Sequence, residues 1–302
     1  MENLFIHEAP GCNKSMLETM VADGDVKAYA NLARCYLDKV EASYEEFLQA
    51  KELLEQGAAK GDDNAMVELW NMCLRRHDSK LAEDWAKKIH SLHVKNHQEA
   101  PTLQTEFDLT FDLQFGLGVK ADLREAKCRY ESLARRGFGM AYYALGLMYE
   151  DGTLGRRHRP AAMRRYRAGA DLHDPNCMLQ RANHYMVPGE EHNPIEAYRL
   201  YRMLSTIKYG MPIAQVRMAE YYIYELYGNE KADWEKAKQY LVAAESLGSY
   251  DATIMLKALL MAERHCIEQN GSLEATPKEQ RSYNLVGALS AVNKDRIDVL
   301  EY

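Results

Sequence analysis

The stretch GFGMAYYALGLMYEDG, residues 137–152, places small and large residues at regular intervals. Ala141 is followed by Leu145 four positions later and by Tyr149 after four more. Residues at i, i+4 and i+8 lie on one side of an α-helix. The spacing therefore predicts a helix with one buried stripe, and it argues against a glycine loop that holds a phosphate group.

The same spacing recurs along the chain at intervals of 36 to 40 residues. Each copy starts with a small residue and continues with larger, mostly apolar residues at +4 and +8, although Arg181 occupies one +4 position. The seven starting positions, which we call the first anchors, are Ala28, Ala65, Thr105, Ala141, Cys177, Ala214 and Ala252.

A second small residue follows within each of the first six copies, with a larger residue at +4 in every copy but one. Two amphipathic stripes per copy describe a helical hairpin. One hairpin cannot bury its own apolar face, so consecutive hairpins are expected to stack. These second anchors are Ala50, Ala82, Ala126, Ala162, Ala197 and Ala237.

Residue types at the predicted helix ends agree with this pattern. Asp62, Asp174 and Ser249 stand where N-caps are expected, and Pro175 suits a first helical position. Glycine can take the positive φ that ends many helices. Turn glycines between hairpins are predicted at Gly61, Gly137, Gly210 and Gly248.

Residues 115–152, FGLGVKADLREAKCRYESLARRGFGMAYYALGLMYEDG, resemble the Sel-one-like (Sel1-like) repeat, a relative of the tetratricopeptide repeat. The family pattern is A-x-x-x-L-G-x-x-Y-x-x-G, a short loop, and A-x-x-x-Y-x-x-A-A before a turn glycine. Residues 115–172 match it closely. The copies at Ala65 and Thr105 depart more, with about eight extra residues around 94–101. The helix from Ala82 is therefore expected to run long or to feed an ordered insertion.

The resemblance implies an all-α fold, a right-handed α/α solenoid of about six helix-turn-helix repeats closed by a C-terminal capping helix. We expect residues 1–19 to form an N-terminal arm or cap and residues 20–265 to form the repeats. Residues 266–302 are expected to contain a loop, at 269–280, and the capping helix. Families of such repeats bind many different partners, so the resemblance predicts fold more sharply than function.

Composition limits the function classes. The net charge is −7, from 45 acidic and 38 basic residues, which weighs against a general nucleic-acid binder. We expect no membrane span, because no run of eighteen apolar residues occurs. The N-terminus shows no secretory signal, and the six cysteines are scattered. We therefore expect reduced thiols and a cytoplasmic protein.

The predicted partner site is the concave wall that first helices form in such arrays. Helix geometry carried over from the tetratricopeptide relative selects positions +2 and +6 from each first anchor. Phe107, Phe111, Tyr143 and Leu147 would form an apolar strip in the middle of this groove. The predicted groove residues are Arg34, Asn71, Phe107, Phe111, Tyr143, Leu147, Leu179, Asn183 and Glu220.

Two charged clusters are further candidates. The segment RRHRPAAMRRYR suggests a patch for an acidic partner, although a solvated helix face is the ordinary interpretation. Its arginines are Arg156, Arg157, Arg159, Arg164, Arg165 and Arg167. His90, His93 and His97 share one predicted helix face and suggest zinc, but no second ligand motif accompanies them, so no metal site is assigned.

These features favour a non-catalytic scaffold or adaptor that holds a protein or peptide segment in its groove. The resemblance also covers bacterial proteins tied to secretion or signalling. An immunity- or inhibitor-type protein that sequesters one effector remains an alternative, and a hydrolase or metal-binding protein is a second. No cofactor is predicted, and the oligomeric state is open.

Overall fold

A computed structural model of the chain describes residues 14–37, 44–189, 191–206, 210–224, 233–247, 249–273 and 275–297. Within these ranges the chain forms fifteen α-helices and no β-strand. The all-α prediction is confirmed. Gly248 and residues 1–13 of the predicted arm lie outside the described residues.

The chain divides into two compact units. The N-terminal unit comprises Leu17–Arg34 and Tyr44–Leu200, and the C-terminal unit comprises the described residues from 201 onward together with 14–16 and 35–37.

Helices of the N-terminal unit pack in chain order. Each helix from α3 to α9 contacts the helix that follows it in the chain. α8 and α10, which are the first helices of two consecutive hairpins, also contact each other. In sequence they are α1 (Lys14–Ala22), α2 (Ala28–Leu37), α3 (Tyr44–Ala59), α4 (Asp63–Arg75), α5 (Ser79–Glu99), α6 (Leu103–Phe115), α7 (Leu123–Arg135), α8 (Gly139–Glu150), α9 (Arg159–Asp171), α10 (Pro175–Met186) and α11 (Pro194–Thr206), which continues into the C-terminal unit.

The C-terminal unit continues the same arrangement. α12 packs on α13, α13 on α14 and α14 on α15, and its core includes Trp234, Leu241, Leu259 and Leu285. These helices are α12 (Pro212–Tyr224), α13 (Trp234–Ser246), α14 (Tyr250–Asn270) and α15 (Lys278–Ile297).

The predicted anchors form the interior of both units. Every first anchor except Thr105 is at most 1% exposed, and the second anchors are at most 4% exposed. The larger residues four positions after the second anchors are buried as well, from Leu54 to Leu241. The repeat spacing therefore identified most of the residues on which the helices pack.

The predicted stripe is wrong in α6 and α14. In α6, Thr105, Leu109 and Leu113 are partly exposed, whereas Phe107, Thr110, Asp112 and Gln114 are buried. α6 turns Asp112 toward histidines of the long helix α5, which changes its buried side. In α14, Leu260 is 47% exposed, and the buried stripe instead runs through Ala258, Leu259, Ala262 and Cys266.

Helix ends follow the sequence closely in the repeats and less closely near the C-terminus. The carboxylates of Asp62 and Asp174 accept hydrogen bonds from Asn64 N (3.1 Å) and Cys177 N (2.9 Å). Ser249 likewise caps α14, and Gly61, Gly137 and Gly210 have positive φ. However, α14 extends to Asn270, past the predicted boundary at 265/266, and α15 begins at Lys278.

One glycine shows how closely the two helices of a hairpin approach. A Cβ atom added to Gly146 in α8 would lie 2.2 Å from Cε1 of Tyr166 in α9. Such a distance is a steric overlap, so only glycine fits under this ring. The tyrosine is 1% exposed, and its hydroxyl donates a hydrogen bond to Glu150 Oε2 at 2.7 Å.

Among the described residues, no helix combines the length and the apolar character that crossing a bilayer requires.

We predict that Gly146→Ala destabilises the protein by about 1–3 kcal/mol, because the Tyr166 ring must move out of its packed position. Chemical denaturation followed by circular dichroism measures the loss. Gly287→Ala is the matched control, since it lies inside α15 with no atom within 4 Å of an added Cβ. It should stabilise by about 0.5–1 kcal/mol through helix propensity alone. A Gly146→Ala protein as stable as the wild type would contradict the close approach.

Candidate functional site

The predicted groove residues fall into two classes according to their position in the repeat. Position +6 is partly exposed in all six copies for which it was predicted, at Arg34, Asn71, Phe111, Leu147, Asn183 and Glu220. Position +2 is mostly buried, and only Val67 and Tyr143 are partly exposed there. Of the two positions predicted to face the groove, +6 is therefore the more exposed.

Phe107 and Leu179 belong to the core rather than to an open groove. Phe107 is 3% exposed, and its ring centroid lies 5.3 Å from that of Tyr130 and 5.5 Å from that of Phe138. Leu179 is 8% exposed. The groove prediction is wrong for these two residues, because +2 on their helices faces the neighbouring helices.

The apolar residues of the predicted groove that are partly exposed lie on α6 and α8. The Phe111 ring packs on Phe115 with centroids 4.6 Å apart, and the Tyr143 ring packs on Tyr166 at 6.0 Å. Leu147 is one turn from Tyr143 and is also partly exposed. Phe115 was missed from the sequence, although its i+4 spacing from Phe111 is a usable signal.

On the other first helices of the N-terminal unit, the residues at position +6 are polar. Arg34 in α2 forms an ion pair with Glu68 in α4, at 2.7 Å between Nη2 and Oε1. Asn71 in α4 and Asn183 in α10 are partly exposed. We call Arg34, Asn71, Phe111, Tyr143, Leu147 and Asn183 the first-helix face. Glu220 belongs to the C-terminal unit and pairs with Arg217 at 2.8 Å.

The three histidines of α5 hold α6 in place. His90 Nδ1 and His93 Nδ1 each lie 2.9 Å from a different oxygen of Asp112, whose side chain is fully buried. His97 Nδ1 lies 2.9 Å from Thr105 Oγ1. In the described part of the chain, no group of three or more His, Cys, Asp or Glu residues could hold a metal ion. The face that suggested zinc is thus a polar contact between two helices.

Two pKa values at this contact are raised, that of His93 by nearby carboxylates and that of Asp108 by burial. Burial alone lowers the pKa of His93, but the hydrogen bond from His93 to Asp112 and the nearby carboxylates outweigh it, so this pKa is raised. Burial raises the pKa of Asp108 to about 6, against a hydrogen bond of 2.8 Å from the Gln104 amide. Both groups therefore hold protons more firmly in the folded chain than in the unfolded one.

The predicted arginine patch is split by ion pairs. Arg165 pairs with Glu131 at 3.4 Å, and Arg167 pairs with Glu191 at 3.0 Å. The other four guanidinium groups, those of Arg156, Arg157, Arg159 and Arg164, are exposed and form no ion pair with a described carboxylate. Only these four are available to an external anion.

The buried thiols are poorly suited to nucleophilic chemistry. Burial raises the pKa of the Cys73 and Cys177 thiols, whereas a nucleophilic cysteine needs a lowered one. The neighbouring Asp174 carboxylate raises the pKa of Cys177 further. The described cysteines are free thiols.

Comparison with solved structures identifies the architecture. A Sel1 repeat protein from Oxalobacter formigenes superimposes with a TM-score of 0.50 at 17% sequence identity, over 92% of this chain and 99% of that one. This chain has the Sel1-like repeat fold. Its hairpins of small anchors and stacked tyrosines are the units of that fold, and α5 is the elongated second helix of one repeat.

Two further solved structures superimpose with lower TM-scores. A protective antigen with this fold from uropathogenic Escherichia coli is 14% identical, with a TM-score of 0.37 over 94% of this chain and 79% of that one. An immunity protein from Pseudomonas aeruginosa is 16% identical, with a TM-score of 0.41 over 70% and 76%. No protein-family model matches the sequence, and no curated protein matches it either.

The two phenylalanines separate core from surface. Phe107→Ala should cost about 3–5 kcal/mol of stability, because it empties a packed position between two aromatic rings. Phe111→Ala should lower the stability by less than half as much, because the Phe111 ring is partly exposed and folding buries only part of its surface. Urea denaturation of the two variants measures the difference, and equal losses would place Phe111 in the core.

Asp108→Asn should change how stability depends on pH. Wild-type Asp108 has a folded pKa of about 6, above its ordinary 3.8. Its protonated side chain therefore contributes fully to the stability of the fold below about pH 4, and this contribution is lost as the pH rises through 6. The amide cannot ionise. The variant should therefore match the wild type near pH 4 and exceed it by roughly 1–2 kcal/mol at pH 7.5. Denaturation at both pH values checks this, and a constant difference would contradict the shift.

Proposed function

We propose that this Sel1-like repeat protein is a non-catalytic scaffold that binds a protein or peptide segment on the first-helix face. The observation that carries the proposal is the repeated exposure of position +6 on successive first helices, with aromatic and aliphatic side chains in its middle. The anchors other than Thr105, and the larger residues four positions after the second anchors, are buried and supply the packing of the hairpins. The partly exposed side chains of Phe111 and Leu147 therefore contribute less to the stability of the hairpins than the buried anchors do.

The chemistry of this face suits an apolar ligand with polar flanks. Phe111, Tyr143 and Leu147 offer apolar contact area, and rigid rings lose little entropy when they bind. Asn71 and Asn183 lie on first helices to either side and can hydrogen-bond a peptide backbone. A partner segment with two or three apolar side chains, placed between polar residues, is the matching ligand.

Selection from a random peptide library, with the intact protein as bait, tests the proposal. Tyr143→Ala and Leu147→Ala should each lower the affinity for the selected peptides by about 30-fold, equivalent to roughly 2 kcal/mol of binding free energy. Leu172→Ala is the matched control, because Leu172 is an exposed leucine at the end of the second helix α9. It should leave affinity unchanged.

Two results would reject the first-helix face as the binding site. One is a set of selected peptides that bind both groove variants as tightly as the wild type. The other is equal weakening by Leu172→Ala. Thermal melts of every variant confirm that changes in affinity do not come from unfolding.

A further inference from the structure

Residues 152–170 combine six arginines with a complete lack of acidic residues. The chain as a whole has 45 acidic residues among 302, so a window of this length would ordinarily contain two or three. The segment covers the loop after α8 and nearly all of α9. Local charge is thus opposite in sign to the net charge of −7.

Several neighbouring arginines form ion pairs with carboxylates. Arg129 binds Glu125 at 2.8 Å, Arg181 binds Asp171 at 3.1 Å, and Arg136 binds Glu106. Within the patch, Glu131 and Glu191 bind Arg165 and Arg167 of α9 in the same way.

The four exposed arginines behave differently. Arg157 Nε reaches only the backbone oxygen of Asp151, at 3.3 Å, and Arg159 reaches only the ring of His184, at 3.4 Å. Arg156 and Arg164 have no ion pair with any described residue. These four residues define the open arginine surface. A bound anion would neutralise positive charge that no ion pair with a described carboxylate offsets.

We propose that the open arginine surface binds an acidic segment of a partner protein, rich in Asp and Glu. Guanidinium groups form paired hydrogen bonds with carboxylates, and the four lie within nine residues of sequence. Arg156, Arg157 and Arg159 lie within three residues of one another along the chain, a span of at most about 10 Å, which three or four residues of an extended acidic segment can cover.

Acidic protein fits this surface better than nucleic acid does. Exposed Glu150 and Asp151 flank the loop on one side, and Glu191 accompanies Arg167 on the other. A short acidic segment can end before these carboxylates, whereas a continuous phosphate backbone would have to pass them. The surface lies on a loop and a second helix, so the proposal stands independently of the first-helix face.

Fluorescence anisotropy with a labelled oligoglutamate peptide, at low ionic strength, tests the proposal on the full chain. The peptide should bind, an oligoglutamine peptide should not, and affinity should fall as salt rises from about 0.02 to 0.2 M. Changing Arg156, Arg157, Arg159 and Arg164 together to Glu should weaken binding by at least about tenfold.

A variant with the same charge change at other sites is the matched control. Lys80, Lys120, Arg124 and Arg135 are exposed basic residues of the N-terminal unit, and changing all four to Glu should reduce affinity by less than about threefold. If the arginine reversal unfolds the protein by circular dichroism, the same four positions changed to Gln replace it. Binding should then still fall while the fold is kept.

Three outcomes would overturn the proposal. In the first, the wild type fails to bind oligoglutamate. In the second, the two charge-reversal variants lose the same amount of affinity for it. In the third, a short single-stranded RNA binds more tightly than oligoglutamate, and its binding is abolished when the same four arginines are changed. The last result would assign the surface to nucleic acid.

Discussion

The close approach of a first helix to the tyrosine of its own hairpin sets the geometry of the best-formed repeat. Gly146 leaves no room for a side chain, so the ring of Tyr166 lies directly against the backbone of α8. The ring then covers the helix while its hydroxyl reaches Glu150 at the edge of the hairpin. One small and one large residue, facing each other, fix both the distance and the rotation of the pair.

The preceding repeat shows what happens when the small residue is absent. Thr110 and Gln114 stand 36 residues before Gly146 and Glu150, and Tyr130 stands 36 before Tyr166. A threonine cannot let the ring come as close. The hydroxyl of Tyr130 and the amide oxygen of Gln114 are both buried without a hydrogen-bond partner among the described residues. This repeat instead gains polar contacts elsewhere, through the histidines of α5 and the carboxylate of Asp112.

Sequence spacing predicted the parts of the fold that depend on volume. Small residues must be buried where backbones meet, so the anchors from Ala28 to Ala252 were identified correctly apart from Thr105. Which side of α6 is buried depends instead on polar pairing across 19 to 22 residues, between His90 or His93 and Asp112. A hydrophobic period carries no information about such a pair. The same limit explains why the burial of Phe107 was not predicted.

Because the buried residues supply the packing, the more exposed positions of each repeat can change at a smaller cost in stability. The first-helix face and the open arginine surface both consist of such positions, one apolar and one cationic. The side chains of both surfaces are partly or fully exposed, although Tyr143 packs on Tyr166 and Arg34 pairs with Glu68. Apolar area in contact with water and unpaired like charges both carry a free-energy cost in the isolated chain. A bound partner removes that cost, which is the physical reason to look for binding at these two surfaces and not along the paired, polar outer turns.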